Sequence, residues 1–256
     1  MGRRWLRRAR RLLGDSPLFL PVVLRATPTG TSRRLTSTTA LVVEGFPRSG
    51  NTFVRQALLY AQGSPIEISS HVHTPSAVKA AVRRDIPCLV LIRAPEPTLA
   101  SLLVAAPHVT ARAAISEWCH HYEEIWPFRH GFVVATFDQV TSDLGEVTSR
   151  LDARFGLDLR PFGGRPEDLV AVFDAIGRRH LEVHGGAAHL DPRPAPSREV
   201  ELRRRAEELR GAAHRAGLAR AAAIYERYRA LSAATAGPVE ARGAAPDRAD
   251  EPGRGA

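Results

Sequence analysis

The run Gly45-Phe46-Pro47-Arg48-Ser49-Gly50-Asn51-Thr52 sets glycines, a cation and hydroxyls in an order that suits an oxyanion. Glycines let the backbone curl until successive N–H groups point inward, and a helix starting beyond Gly50 adds its positive end. Arg48 can make a charge-assisted contact, and Thr52 can supply a hydroxyl. Gly45, Gly50 and Thr52 match the spacing of the triphosphate loop G-x-x-x-x-G-K-[ST], but Asn51 stands where the lysine belongs. That lysine neutralises the β- and γ-phosphates, so its loss argues against a triphosphatase. The bland alternative is a Gly/Pro turn between a strand and a helix.

Two further groups could share such a site. Arg93-Ala94-Pro95 follows the apolar run Cys88–Ile92, with Ser101 further along the next segment. An arginine at the carboxyl end of a strand faces the ligand crevice of an open α/β sheet. The segment His71-Val72-His73-Thr74-Pro75 holds two imidazoles, the side chain whose ordinary pKa suits a general base near neutrality. At alternate positions of an extended chain both would share one face. Either could be the base, or both could be polar strand-end residues or substrate contacts.

Metal chemistry finds little support. Cys119, His120 and His121 are consecutive in a probable helix and so point to different faces. His180 and His184 have i,i+4 spacing with Glu182 between them, but the order H-E-x-x-H is absent. No G-x-S-x-G elbow suggests a nucleophilic serine. No metal is expected.

Elements that could position these residues alternate along the chain. Apolar strands are predicted at Ala40–Glu44, Ile66–Ser70, Cys88–Ile92 and Phe132–Phe137. Helices are predicted at Asn51–Tyr60, Pro75–Arg84, from Pro95, at 112–126 and at 144–155. This repetition predicts an α/β fold of the P-loop type, an open, mostly parallel sheet flanked by helices. A helical C-terminal part follows over about 167–183, 197–216 and 218–232. Residues 39–232 are thus the expected domain, preceded by a basic extension (1–38) and followed by a disordered Ala/Gly/Pro-rich tail (233–256).

Composition bounds the function classes. The 256 residues are 44% hydrophobic and 25% charged, the balance of a globular protein with a real core. No run approaches the ~20 apolar residues of a membrane span. The net charge of +9 invites a nucleic-acid reading until it is located. Residues 1–38 carry nine arginines against Asp15 alone, leaving 27 basic and 26 acidic residues in the remaining 218. The body is near neutral, so no nucleic-acid partner is expected. The basic leader reads as a plain solvated extension, with weak contact with a membrane surface or an acidic partner as the alternative and a secretion signal as a lesser one. Cys88 and Cys119 are too few for a disulfide framework, which points to a reducing, cytoplasmic setting.

Pro47 to Phe53, P-R-S-G-N-T-F, resembles the 5′-phosphosulfate loop of sulfotransferases that use 3′-phosphoadenosine 5′-phosphosulfate (PAPS), P-[KR]-[ST]-G-[TN]-[TS] and then an aromatic residue. Arg93 to Ser101 resembles that family's 3′-phosphate motif, R-x-P-x5-S. Residues 132–143 and the helix ending in Phe155-Gly156-Leu157 are similar to a third segment, but Phe137 and Gln139 depart from its pattern around Asp138. The likeness covers roughly residues 39–160. It implies PAPS as sulfuryl donor, held by Arg48, Ser49, Gly50, Asn51, Thr52 and Phe53 at the 5′ end and by Arg93 and Ser101 at the 3′ end. It also implies His73 or His71 as base, or Glu67 as a lesser candidate because related sulfotransferases can use glutamate, with Arg48 assisting the leaving phosphate, and a small-molecule, glycan or lipid acceptor bearing a hydroxyl or amine. Arg198 is a further candidate for nucleotide contact. The rival readings are a P-loop kinase-like phosphoryl transferase and a non-catalytic nucleotide-binding protein.

Overall fold

The computed structural model describes residues 35–234. The basic leader before residue 35 and the tail after residue 234 lie outside the described residues. Four strands form one all-parallel sheet: β1 (Leu41–Gly45), β2 (Ile68–Ser70), β3 (Cys88–Ile92) and β4 (Val133–Thr136), in the order β2-β1-β3-β4. Helices α1 (Asn51–Gln62), α2 (Pro75–Arg83), α3 (Pro95–Ala105) and α4 (Ala111–Ile125) alternate with the strands. After β4 come α5 (Phe137–Ser142), α6 (Leu144–Phe155), α7 (Pro166–His184), α8 (Glu199–Arg210) and α9 (Arg215–Ala234).

The strands read as continuous apolar runs because both faces of the sheet are covered. Alternation along β1 sends Leu41 and Val43 into one core and Val42 into the other. The first core packs Val54 and Leu58 of α1, Leu151 of α6, and Val172 and Ile176 of α7. The second gathers Leu99, Trp118, Tyr122, Ile224 and Tyr228 from α3, α4 and α9. Tyr228 donates its hydroxyl to the Tyr122 carbonyl at 2.6 Å, tying α9 to the last turn of α4.

Several boundaries differ from the sequence reading, β2 for example starting at Ile68 rather than Ile66, and two of the differences have a local reason. Thr136 ends β4 because it caps α5: its hydroxyl accepts from the Gln139 N–H while the Gln139 side chain accepts from the Thr136 N–H. This capping box places Phe137 and Asp138 on a helix rather than at a strand end. The predicted helix 197–216 stops at Arg210, where Gly211 leaves the helical conformation, and a single 3₁₀ turn at Ala212–His214 leads into α9.

Chain order places β2 and β3 on opposite sides of β1. The connections therefore diverge at the carboxyl ends of β1 and β3, where an open α/β sheet leaves a crevice. The loop 46–50, the segment 71–74 and Arg93 all emerge at this edge.

Candidate functional site

The phosphate-type loop begins where β1 meets β3 most closely. Gly45 pairs in register with Leu91, and a Cβ built on it would stand 2.4 Å from the Leu91 carbonyl oxygen, so only glycine fits. The chain then turns through Arg48 (φ 72°) and Gly50 (φ 98°), both left-handed, and enters α1 at Asn51. Tyr122, fully buried, braces the turn from below. Its hydroxyl donates to the Leu91 carbonyl at 2.8 Å and accepts from the Phe46 N–H at 3.3 Å.

Arg48, Gly50, Asn51, Thr52, Phe53, His71, His73, Arg93 and Ser101 all line one cleft of about 1200 Å³. Ser49 is the exception among the predicted binding residues. Its side chain is fully buried and its Oγ lies 3.4 Å from the Tyr122 hydroxyl, so it supports the loop from inside. Asn51 also turns inward, its Nδ2 donating to the Phe46 carbonyl at 3.2 Å and to that of Gly45 at 3.4 Å. Where the triphosphate loop sends a lysine out to its ligand, this chain uses an amide to tie the loop to itself.

Arg48 and Arg93 do not occupy separate ends of the cleft. Arg48 Nε donates to Ser101 Oγ at 2.8 Å, and Arg93 donates to the Arg48 carbonyl at 3.3 Å. The Arg93 guanidinium also lies over the Phe137 ring, 4.1 Å from its centroid, a platform the sequence reading passed over. Arg198 completes a cluster of three cations. It donates to the Asp191 and Arg193 carbonyls, and Arg48 reaches the same Asp191 carbonyl at 3.3 Å. Burial first, then Arg198 and Arg93, lowers Arg48 to about 10. The Asp191 carboxylate is committed elsewhere: hydrogen bonds from Arg193 hold it down at about 2. Three guanidiniums held by neutral acceptors, with no ion pair among the described residues, can receive an oxyanion.

The two histidines follow β2, but not in an extended chain. β2 ends at Ser70, and His71 (φ 66°) and His73 (φ 54°) are both left-handed, so strand alternation does not orient them. Their rings nevertheless meet edge to face, with centroids 5.6 Å apart. His71 has hydroxyls at both nitrogens, Ser70 Oγ at 2.6 Å from Nδ1 and Thr52 Oγ1 at 3.0 Å from Nε2. His73 Nδ1 lies 2.8 Å from the Gly45 carbonyl, which can only accept. In the neutral ring this places the proton on Nδ1 and makes Nε2 the basic nitrogen.

The residue that holds this turn is Glu44, which the sequence reading left in its strand. Fully buried, it accepts the Val72 N–H at 2.7 Å and the His73 N–H at 3.0 Å, one on each carboxyl oxygen. Its signal was a lone acid in an otherwise apolar strand. Glu67, the lesser candidate base, lies at the amino end of β2, the opposite edge of the sheet. Its carboxyl takes hydroxyls from Thr36, Thr38 and Thr39, which hold its pKa below the usual range. A role in the cleft is excluded by that position.

Among the described residues no group of three His, Cys, Asp or Glu side chains is placed to hold a metal ion. The pairing of His180 with His184 rests on a side chain outside the described set. No helix among the described residues is long and apolar enough to cross a membrane. No protein-family model matches the chain, and no curated protein aligns with it.

Glu44→Gln would set an amide donor against one of the two backbone N–H groups. Stability should fall by about 1–3 kcal/mol in denaturant unfolding, and an unchanged value would show that these bonds do not hold the turn. A pH dependence follows from His121, buried beneath the loop with its ring edge-on to Phe46 at 6.0 Å. Burial, helped by His73 and His120, pushes its imidazole down to about 3. The unfolded chain, with an ordinary value near ~6.5, therefore takes up the extra proton as pH falls. This contribution is complete above about pH 6.5 and is lost toward about pH 3, at up to about 1.4 kcal/mol per pH unit. His121→Phe should remove that slope, as read from unfolding free energies between about pH 7 and about pH 5.

Proposed function

We propose that this protein is a sulfotransferase that moves a sulfuryl group from PAPS to an acceptor hydroxyl. The observation that carries the reading is the meeting of two phosphate motifs in one cleft, with Arg48 of the loop bonded to Ser101 beside Arg93. A loop for one phosphate and an arginine–serine pair for a second suit a nucleotide phosphorylated at both 5′ and 3′ positions. The cleft exceeds the ~300–1,000 Å³ of a typical single-ligand site, so a donor and an acceptor have room side by side.

PAPS, when bound, supplies a sulfuryl group on a phosphate leaving group. The loop N–H groups, Arg48 and Thr52 bind the 5′ end and stabilise charge on the departing phosphate oxygen. Arg93, levelled by the Phe137 ring, and Ser101 bind the 3′-phosphate and so reject nucleotides that lack it. His73 Nε2 takes the proton of the acceptor hydroxyl as its oxygen bonds to sulfur and the sulfur–phosphate oxygen bond breaks. His71, engaged with Ser70 and Thr52, positions the helix start rather than moving a proton.

The product nucleotide, 3′-phosphoadenosine 5′-phosphate (PAP), should raise the melting temperature well above the effect of ATP with Mg²⁺. Arg93→Ala should erase that preference, and greater stabilisation by ATP would instead support the phosphoryl-transferase reading. His73→Ala should lower the transfer rate about 10²–10⁴-fold with PAP affinity intact. Equal losses in His71→Ala and His73→Ala would refute the assignment of the base.

A further inference from the structure

A fully buried carboxylate in an apolar strand needs compensation, and Glu44 finds it in a form that selects its charged state. The N–H groups of Val72 and His73 donate one to each of its oxygens, at 2.7 Å and 3.0 Å. Donors on both oxygens favour the ionised form, because a protonated carboxyl would turn its own O–H toward one of them. The oxygen that accepts the His73 N–H also stands 3.9 Å from Nδ1 of the same residue's ring. One carboxylate therefore faces both the backbone and the imidazole of His73. Water reaches the ring, which is 23% exposed, but not the acid at 0%.

That charge matters because of what else surrounds the ring. Arg48, Arg93, Arg179, Arg193 and Arg198 line the same cleft, and cations disfavour a further positive charge. Among the described residues the acids that line the cleft are Glu182 of α7 and Glu199 of α8. Both are exposed, so water and salt screen them. His71 meets the His73 ring edge to face at 5.6 Å. His121 of α4, which burial and then His73 push down to about 3, stays neutral. Lys79 of α2 pairs with Glu124 of α4, and burial, then Glu44, keep the Cys88 thiol of β3 protonated.

When Nε2 takes a proton, the ring becomes an imidazolium whose Nδ1–H still donates to the Gly45 carbonyl and whose charge lies beside the carboxylate. We propose, resting on the reading of His73 as the base of a sulfotransferase, that Glu44 is a positioning residue whose carboxylate is the counter-charge that keeps His73 basic among these cations. The same acid that fixes the turn then sets the proton affinity of the group the turn presents.

The test is an NMR titration of the ring nitrogens in protein carrying labelled histidine, which needs no donor, with PAP binding followed in parallel by the melting temperature. In the unaltered protein His73 should titrate at higher pH than His71. Glu44→Gln should weaken the proton affinity of His73 about tenfold, a fall of about 1 pH unit, and leave His71 in place. A shift of both rings together, or of neither, would overturn the charge role and leave Glu44 as a brace for the turn. His73 titrating at or below His71 in the unaltered protein would overturn it too, whether or not Glu44→Gln folds. The expected shift without any binding of PAP would keep the ion pair and remove the donor reading. Binding of PAP with His73 unshifted would do the reverse.

Discussion

The carbonyl of Gly45 is where the sheet and the cleft become one structure. It accepts from His73 Nδ1 at 2.8 Å and from Asn51 Nδ2 at 3.4 Å, so a single oxygen fixes both an imidazole and the first residue of α1. Its position is set in turn by the packing of β1 on β3, which tolerates no Cβ at residue 45. One residue earlier, Glu44 accepts the backbone N–H of the same histidine at 3.0 Å. The proposed base is thus held by two consecutive residues of the central strand, and the precision of a rigid element passes to a side chain in a turn.

Electrostatics explain why this rigidity is needed. Arg198 and Arg93 both repel Arg48, and burial strips Arg48 and Arg93 of part of their water, which works against folding. The structure offsets the cost with carbonyl and hydroxyl acceptors at Asp191, Arg193, Arg48 and Ser101, and with the ring of Phe137. Neutral acceptors restrain the guanidiniums without cancelling their charge. A carboxylate in their place would stabilise the protein better and bind a phosphate worse. Asp191 follows this rule, since its backbone oxygen serves Arg48 and Arg198 while its side chain is occupied by Arg193.

The parallel sheet and its helices were legible in the sequence because strands covered on both faces read as unbroken apolar runs, as Cys88–Ile92 does. The cleft was legible in part, because Gly45, Gly50, Arg93 and Ser101 carry their meaning in local spacing. Other features depend on contacts between distant segments. Nothing in the word Ser49 distinguishes a hydroxyl facing a ligand from one facing Tyr122. Period-two alternation orients His71 and His73 only in a strand, and the bonds from Glu44 bend that segment out of it. Glu67 shares a segment with these histidines, yet the strand between them carries it to the far edge. The capping box Thr136–Gln139 was readable and was overlooked, because Phe132–Phe137 looks like a strand throughout.

The two halves of the cleft are built differently, and this bears on how such a site serves chemistry. On the proposed reading, the groups that hold the donor stand on strand ends and the first turns of α1 and α3, where the sheet fixes them. The remaining wall, open to an acceptor, is Phe53 of α1, the face of α7 and a proline-rich segment after it, anchored to the loop side through carbonyls at Asp191 and Arg193. Substitutions along α7 can reshape the acceptor wall while β1, β3 and the loop stay as they are. If the cleft serves transfer as proposed, selectivity for the acceptor and binding of the donor are separable in this fold, with function residing in a site carried on a stable scaffold. The link between the halves runs through Arg48, whose guanidinium touches both Ser101 and the segment after α7. An anion drawing Arg48 toward the loop would loosen its bond to the Asp191 carbonyl, and on the proposed reading donor binding and the shape of the acceptor wall would then share one side chain.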